Sequence, residues 1–472
     1  MTRLFPLQTK FSKALMSFVL AVMLAAWPDS LASTRAQAPA SGPLRVHAIN
    51  KRYFADASGK VVYLTGSHNW DTFQRWFEGQ EGAGKAGLPA SFTAYLDVLQ
   101  NHNHNFVRLW VAGTAWSTIT NAPVEPQPYV RTGPGMAADG RPKFDLKRLN
   151  QAYFDELRSR VTAARDRGIY VSIMLFDSWG ISEYRYAPHN TTWNYQPFNS
   201  ANNINGIDGD PNRDGIGVEY HTLQIAAIRA LQEVYVRKVV DTVNDLDNVL
   251  YEICNESGKH STDWQYHWIN FIKTYEATKP RKHPVGMTYQ HSQLGRGTNA
   301  NLFNSPADWI SPASGTEGNY WDDPPAATGA KVIITDTDHI KSTSSDGTWI
   351  WRSFLRGLNP IVMDWWNGGQ WDPIRRAMGH TRNYAIRMNL AAMAPRNELA
   401  STTYCLANPG SEYLVFQPAA DAFTVTLASG TYAVEWFNTA SGLASAGEAI
   451  TVGSGSRSFT PPFAGAVLYL RR

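Results

Sequence analysis

The chain has 472 residues, more than one hydrophobic core usually serves, so a large domain joined to a smaller one is expected. With 43 % hydrophobic residues, 18 % charged residues and two cysteines, it is neither a long disordered chain nor a disulfide scaffold. The formal charge of +3 resides in residues 1–38, where Arg3, Lys10, Lys13 and Arg35 outnumber Asp29; the remainder is balanced, which speaks against nucleic acid as a partner.

Those first residues read as a signal peptide, with a basic start, an apolar stretch from Ala14 to Trp27 and Ala36-Gln37-Ala38 as a cleavage site. The apolar stretch is shorter than the roughly 20 residues that span a bilayer. A secreted or periplasmic protein without membrane contact after cleavage is expected, with an uncleaved anchor as the alternative. Cys254 and Cys405 fall in different segments and read as buried and unpaired.

From residue 44 to 395, short apolar runs alternate with segments of helical period. Val61–Leu64 reads as the first strand, before Thr65-Gly66-Ser67-His68-Asn69-Trp70, and Asn105–Val111 follows a helix near Ser91–Gln100. Phe154, Leu157, Val161 and Ala164 share one helix face, which Gly168 stops before the strand Ile169–Phe176. Further strands are expected at Val249–Ile253, Pro284–Thr288, Asp308–Ser311, Lys331–Thr335 and Pro360–Met363, with helices between them and a last one over Ile374–Met393. Continuous rather than alternating apolarity means that both strand faces are covered, as in a parallel sheet. Eight such repeats predict a (β/α)₈ TIM barrel, and the lack of a G-x-G-x-x-G after the first strand speaks against a dinucleotide-binding sheet. Beyond Pro395, over 400–472, short strands at Glu412–Gln417, Phe423–Leu427, Tyr432–Phe437 and Ala466–Leu470 read as a small all-β sandwich domain.

In such barrels the chemistry lies at the C-terminal ends of the strands. Here those ends carry His68, Asn69 and Trp70; Arg108 and Trp110; Asp177 and Trp179; Asn255 and Glu256; Tyr289; Asp336, Asp338 and His339; and Trp365. Glu256 follows a buried strand directly, and burial raises a carboxyl pKa toward that of a proton donor at neutral pH. With an acid on strand seven it would make the two-carboxylate pair that glycosidic cleavage uses. A salt bridge or helix cap is the plainer reading of any one such acid, as barrel-mouth packing is of each Trp.

Asn255-Glu256 at strand four with an acid at strand seven resembles the clan-A glycoside hydrolases, retaining (β/α)₈ enzymes. Arg52-Tyr53-Phe54 with Gly59–His68 is similar, more narrowly, to the apiosidase-like branch. Members of that branch often carry a C-terminal β-sandwich named as a collagen-binding domain, which Glu412–Gln417 and Val434-Glu435-Trp436-Phe437 resemble. The resemblance implies an exported glycoside hydrolase acting on plant or microbial polysaccharides or oligosaccharides. It gives Glu256 the acid/base role, Arg108 the task of keeping the nucleophile charged, and Asn255 a bond to the sugar 2-hydroxyl. Tyr289 would orient the nucleophile, His68 and Asp177 would bind hydroxyls, and Trp110, Trp179 and Trp365 would stack on sugars. Strand seven departs from the clan, where the nucleophile is Glu: D-x-E spacing puts Asp338 in that place, with Asp336 beside it. Asp reaches about 1.3 Å less far than Glu. That bears on whether the pair stands at the roughly 5–5.5 Å of retention or the 6.5–9.5 Å of inversion.

No cofactor is implied. Asp208-Gly-Asp210-Pro-Asn212-Arg-Asp214-Gly215 contains D-x-N-x-D-G, as in calcium loops, but reads more simply as a solvated acidic turn. Two rivals remain: a metal-dependent hydrolase using His339 and Asp338, and a non-catalytic carbohydrate-binding protein on a glycosidase scaffold.

Overall fold

The computed structural model describes residues 38–70, 72–74, 89, 91–117, 121–182, 189–292, 294–315, 318–335, 347–364 and 371–472. Eight strands form one parallel sheet: β1 (Gly66–His68), β2 (Phe106–Leu109), β3 (Tyr170–Asp177), β4 (Val249–Asn255), β5 (Val285–Thr288), β6 (Trp309–Ser311), β7 (Val332–Thr335) and β8 (Asn359–Met363). Their spatial order, β1-β8-β7-β6-β5-β4-β3-β2, is chain order wrapped into a ring. Asn105 joins the two ends of the sheet. Its backbone N–H donates to the Thr65 carbonyl at 3.0 Å, while its side chain accepts from the Thr65 N–H at 3.0 Å and donates to the Tyr63 carbonyl at 2.8 Å. The (β/α)₈ barrel predicted from the alternating pattern is the fold observed.

Helices α1 (Phe92–Asn101), α2 (Gln151–Arg165), α3 (Ala226–Val243), α4 (Thr262–Ala277), α5 (Asn299–Phe303), α6 (Thr348–Leu355) and α7 (Asp372–Arg387) lie between or after the strands. Ser91 caps α1 through the Ala94 N–H, and after α2 the chain turns at Gly168 with φ +72°. Every position of β4 is buried, which is why its residues are apolar up to Cys254 with Glu252 as the one charge among them.

The barrel floor is apolar. Phe106, Tyr170, Leu250, Trp309 and Ile361, from strand starts, pack with Ala40 and Leu44 of the incoming chain. Gly286 makes room for one of them, since a Cβ there would lie 1.9 Å from the Trp309 ring. One element differs from expectation. Val61–Val62 joins a small antiparallel sheet with Arg45–Val46 and Phe54–Ala55, and the barrel strand is Gly66–His68. The reason is steric: a Cβ at Gly66 would meet the Phe106 carbonyl at 2.1 Å, so only glycine lets β1 come this close to β2. A hairpin over Tyr129–Met136 and Pro142–Leu149, interrupted by Gly and Pro, was not legible in the sequence.

The C-terminal strands are β9 (Cys405–Asn408), β10 (Glu412–Gln417), β11 (Phe423–Leu427), β12 (Gly430–Asn438), β13 (Leu443–Val452), β14 (Gly455–Phe459) and β15 (Ala466–Arg471). Ala394–Pro395, β9, β10, β15, β12 and β13 make one antiparallel sheet, and β11 pairs with β14 in a second, as expected of a small β-sandwich. One apolar cluster runs from the barrel helices into it. Trp351 of α6 lies 6.3 Å from the Phe416 ring and 5.6 Å from that of Phe437. Tyr384 donates to Glu435 Oε1 at 2.6 Å, and Arg387 to Oε2 at 2.8 Å. Cys254 and Cys405 are buried and free, as expected.

Candidate active site

Above the apolar floor the barrel interior turns polar. Arg108 on β2 and Glu252 on β4 form an ion pair, each about 1 % exposed or less, with Nε to Oε2 at 2.9 Å and Nη2 to Oε1 at 2.5 Å. Two parallel bonds to one carboxylate fix the guanidinium plane. Thr288 on β5 donates to the Cys254 carbonyl at 2.9 Å and stands 3.4 Å from Glu252 Oε1. Sequence reasoning missed Glu252. The signal was present, because one carboxylate in Val249–Ile253 and one cation in Phe106–Val111 are lone charges inside apolar strands.

At the strand ends, Asp177 and Asn255 are register partners of β3 and β4. The Asn255 Nδ2 donates to Asp177 Oδ1 at 3.0 Å, and its Oδ1 faces Arg108 Nη2 at 3.5 Å. The structure thus brings together Arg108, Asp177 and Asn255 from the sequence-derived set. Glu256 follows, 7 % exposed and with φ at +49°. A non-glycine residue pays for that left-handed backbone, and such strain gathers at functional sites.

An aromatic wall stands beside them. The Arg108 guanidinium lies 4.7 Å over the Trp110 ring, and the His68 ring stacks with that of Trp110 at 5.9 Å and 14°. Trp110 packs with Met174 and Met363, with Trp70 against them. Asn69 is fully buried and donates to the Asp364 carbonyl at 2.9 Å, so this amide joins β1 to the end of β8. Asp364 is bonded on both oxygens by Arg375, at 2.5 and 2.7 Å. The Trp179 N–H reaches Asp177 Oδ1 at 3.3 Å, and the Tyr289 hydroxyl donates to the Gly297 carbonyl at 2.8 Å. Asp336, Asp338, His339 and Trp365 lie outside the described residues. β7 ends at Thr335, the residue before Asp336.

Behind β3, His221 is fully buried against Ser178, with Nδ1 to Oγ at 3.1 Å, and burial lowers its pKa to about 3. The acidic loop is folded on itself. Asp210 accepts from the N–H groups of Asp214 and Gly215, at 3.1 and 2.8 Å, and Asn212 donates to Glu219 Oε1 at 2.6 Å. Burial pushes the Glu219 carboxyl up, and Asp214 and Asp210 add to that. Among the described residues no three His, Cys, Asp or Glu side chains gather as metal ligands, and no helix is long and apolar enough to cross a membrane.

Residues 99–293 match the family model described as a domain of unknown function, DUF6298. The chain is similar to a solved structure titled "Glycoside hydrolase", with 13% identity, a TM-score of 0.57, and coverage of 91% of this chain and 97% of that one. A second similar structure is a glycoside hydrolase family 5 protein from Bacteroides vulgatus. It has 13% identity, a TM-score of 0.60, and coverage of 92% of this chain and 95% of that one. No curated protein matches the chain. At this identity the likeness is one of fold: barrel and C-terminal sheets together share the architecture of these glycoside hydrolase structures.

Proposed function

We propose that the protein is an exported glycoside hydrolase that cleaves O-glycosidic bonds of plant or microbial polysaccharides or oligosaccharides. The observation that carries this reading is Glu256. It is a buried carboxyl with a left-handed backbone at the end of β4, directly after an amide held between Arg108 and Asp177. Polar side chains converging where a barrel places its chemistry, beside an aromatic wall, suit a sugar ring, whose hydroxyls need partners and whose C–H face needs a flat apolar surface. The similarity in fold to glycoside hydrolases supports the same reading.

In the proposed mechanism Glu256 protonates the departing oxygen. Asp338 attacks the anomeric carbon, with Asp336 beside it. Glu256 then takes a proton from the water that releases the sugar, with retention of configuration. The pattern of the N-terminal segment supports the apiosidase-like branch as the narrower assignment, with the C-terminal sheets as its collagen-binding-type domain.

Turnover of a panel of aryl glycosides and complex pectins tests this. Glu256→Ala should lower kcat/KM by about 10²–10⁴, the usual worth of a positioned general acid. Asp338→Ala should abolish turnover, and NMR of the first-formed anomer should report retention. Unchanged turnover in Glu256→Ala removes that residue from the mechanism. Sugar binding without turnover would favour the non-catalytic alternative.

A further inference from the structure

Asn255 sits between two groups of opposite demand. Asp177 Oδ1 accepts from its Nδ2 at 3.0 Å, and the Arg108 Nη2 donor stands 3.5 Å from its Oδ1. A primary amide has one accepting and one donating end, and this arrangement admits a single orientation. Turned by 180°, the amide would set its carbonyl against the Asp177 carboxylate and its NH₂ against a guanidinium. Both contacts would be repulsive. Arg108 alone is too distant to enforce the choice, since 3.5 Å is at the limit of a hydrogen bond. The shorter, charge-assisted contact to Asp177 therefore decides it.

Asp177 is itself held in place. Its register partner on β4 is Asn255, the Ser178 N–H donates to the Asn255 carbonyl at 3.0 Å, and the Trp179 N–H reaches Asp177 Oδ1 at 3.3 Å. Gly113 packs so closely that a Cβ there would lie 2.3 Å from the Asp177 carbonyl. With one amide proton on Asp177, planarity fixes the direction of the other. We propose that Asp177 is a positioning residue: it sets the Asn255 amide so that its second N–H meets a sugar hydroxyl beside the reacting carbon. The protein thereby selects glycosides that carry a hydroxyl there. The inference rests on the glycosidase reading and differs from a direct contact between Asp177 and the sugar.

The test compares Asp177→Ala and Asp177→Asn on an aryl glycoside and on its 2-deoxy counterpart. Asp177→Ala should lower kcat/KM about 100-fold on the hydroxylated substrate, as a misplaced group does, and less than about threefold on the 2-deoxy one. Asp177→Asn, whose carbonyl can still accept from Asn255, should recover most of the loss. In an Asn255→Ala background Asp177→Ala should cost nothing further. Equal losses on both substrates, or an undiminished loss in that background, would overturn the proposal. A crystal structure of Asp177→Ala gives an answer independent of turnover: the amide should rotate or adopt two orientations, and an unmoved amide overturns the inference. Absence of turnover by the unaltered protein on every glycoside would instead count against the glycosidase reading, leaving the crystal structure to decide the positioning role.

Discussion

At the scale of single residues, the Arg108–Glu252 pair is the interaction whose removal should be felt most. Taking away one member of a buried ion pair leaves the other charge desolvated and uncompensated. Glu252→Ala and Arg108→Ala should each cost about 3–5 kcal/mol in urea denaturation, and the double variant clearly less than their sum. Strict additivity would show that the two charges do not depend on each other. The buried histidines make a second prediction. Burial lowers His104 and His221 to about 3 and His380 to about 4, against about 6.5 in an unfolded chain. Their folded values lie below the unfolded one, so the unfolded chain takes up protons first as pH falls. The stability they contribute is therefore complete above about pH 6.5 and is lost progressively toward pH 3–4. Thermal unfolding across that range should show Tm falling with acidity, with a shallower slope in His104→Gln than in the unaltered protein.

At the scale of elements, close approaches between strands set the tolerances. A methyl at Gly66 would strike the Phe106 carbonyl at 2.1 Å, and one at Gly286 would strike the Trp309 ring at 1.9 Å. Gly66→Ala and Gly286→Ala should each destabilise by about 1–3 kcal/mol, the usual cost of overpacking. Gly453→Ala, with nothing within 4 Å, is the control and should be near neutral in the same denaturation assay. The same contacts explain what the sequence could reveal. β3 and β4 were legible because burial on both faces leaves runs that are apolar except for Ser172 in β3 and Glu252 in β4. β1 was not, because Val61–Leu64 has the stronger β character while Gly66–His68 earns its place only through closure against β2. The strand-end positions of Arg108, Asp177, Asn255 and Glu256 could be read from barrel grammar. The Glu252 partner of Arg108 needed the third dimension, since 144 residues separate the two. The tryptophans divide by surroundings: Trp264, Trp268, Trp309 and Trp351 are fully buried packing residues, whereas Trp110 packs on Met174 and Met363 beside the Arg108 guanidinium.

At the scale of the whole molecule, the barrel and the C-terminal sheets share one apolar cluster, with Trp351, Tyr384, Phe416 and Phe437 at its centre. Neither part can leave without exposing these rings. Trp351→Ala should cost about 3–5 kcal/mol. Thermal unfolding followed by far-ultraviolet dichroism and by tryptophan fluorescence should give one coincident transition, whereas two separated transitions would show that the parts melt independently. The strand-start end of the barrel is closed by the incoming chain. The Ala40 N–H donates to the Arg165 carbonyl at 2.9 Å, the Tyr170 hydroxyl to the Ser41 carbonyl at 2.7 Å, and Leu44 is buried among the strand starts. A bead or surface coupled just ahead of residue 40 would therefore grip the molecule by its base. The strand ends that carry Arg108, Asn255 and Glu256 would then point away from the support, open to large solutes that a randomly attached molecule would often turn aside.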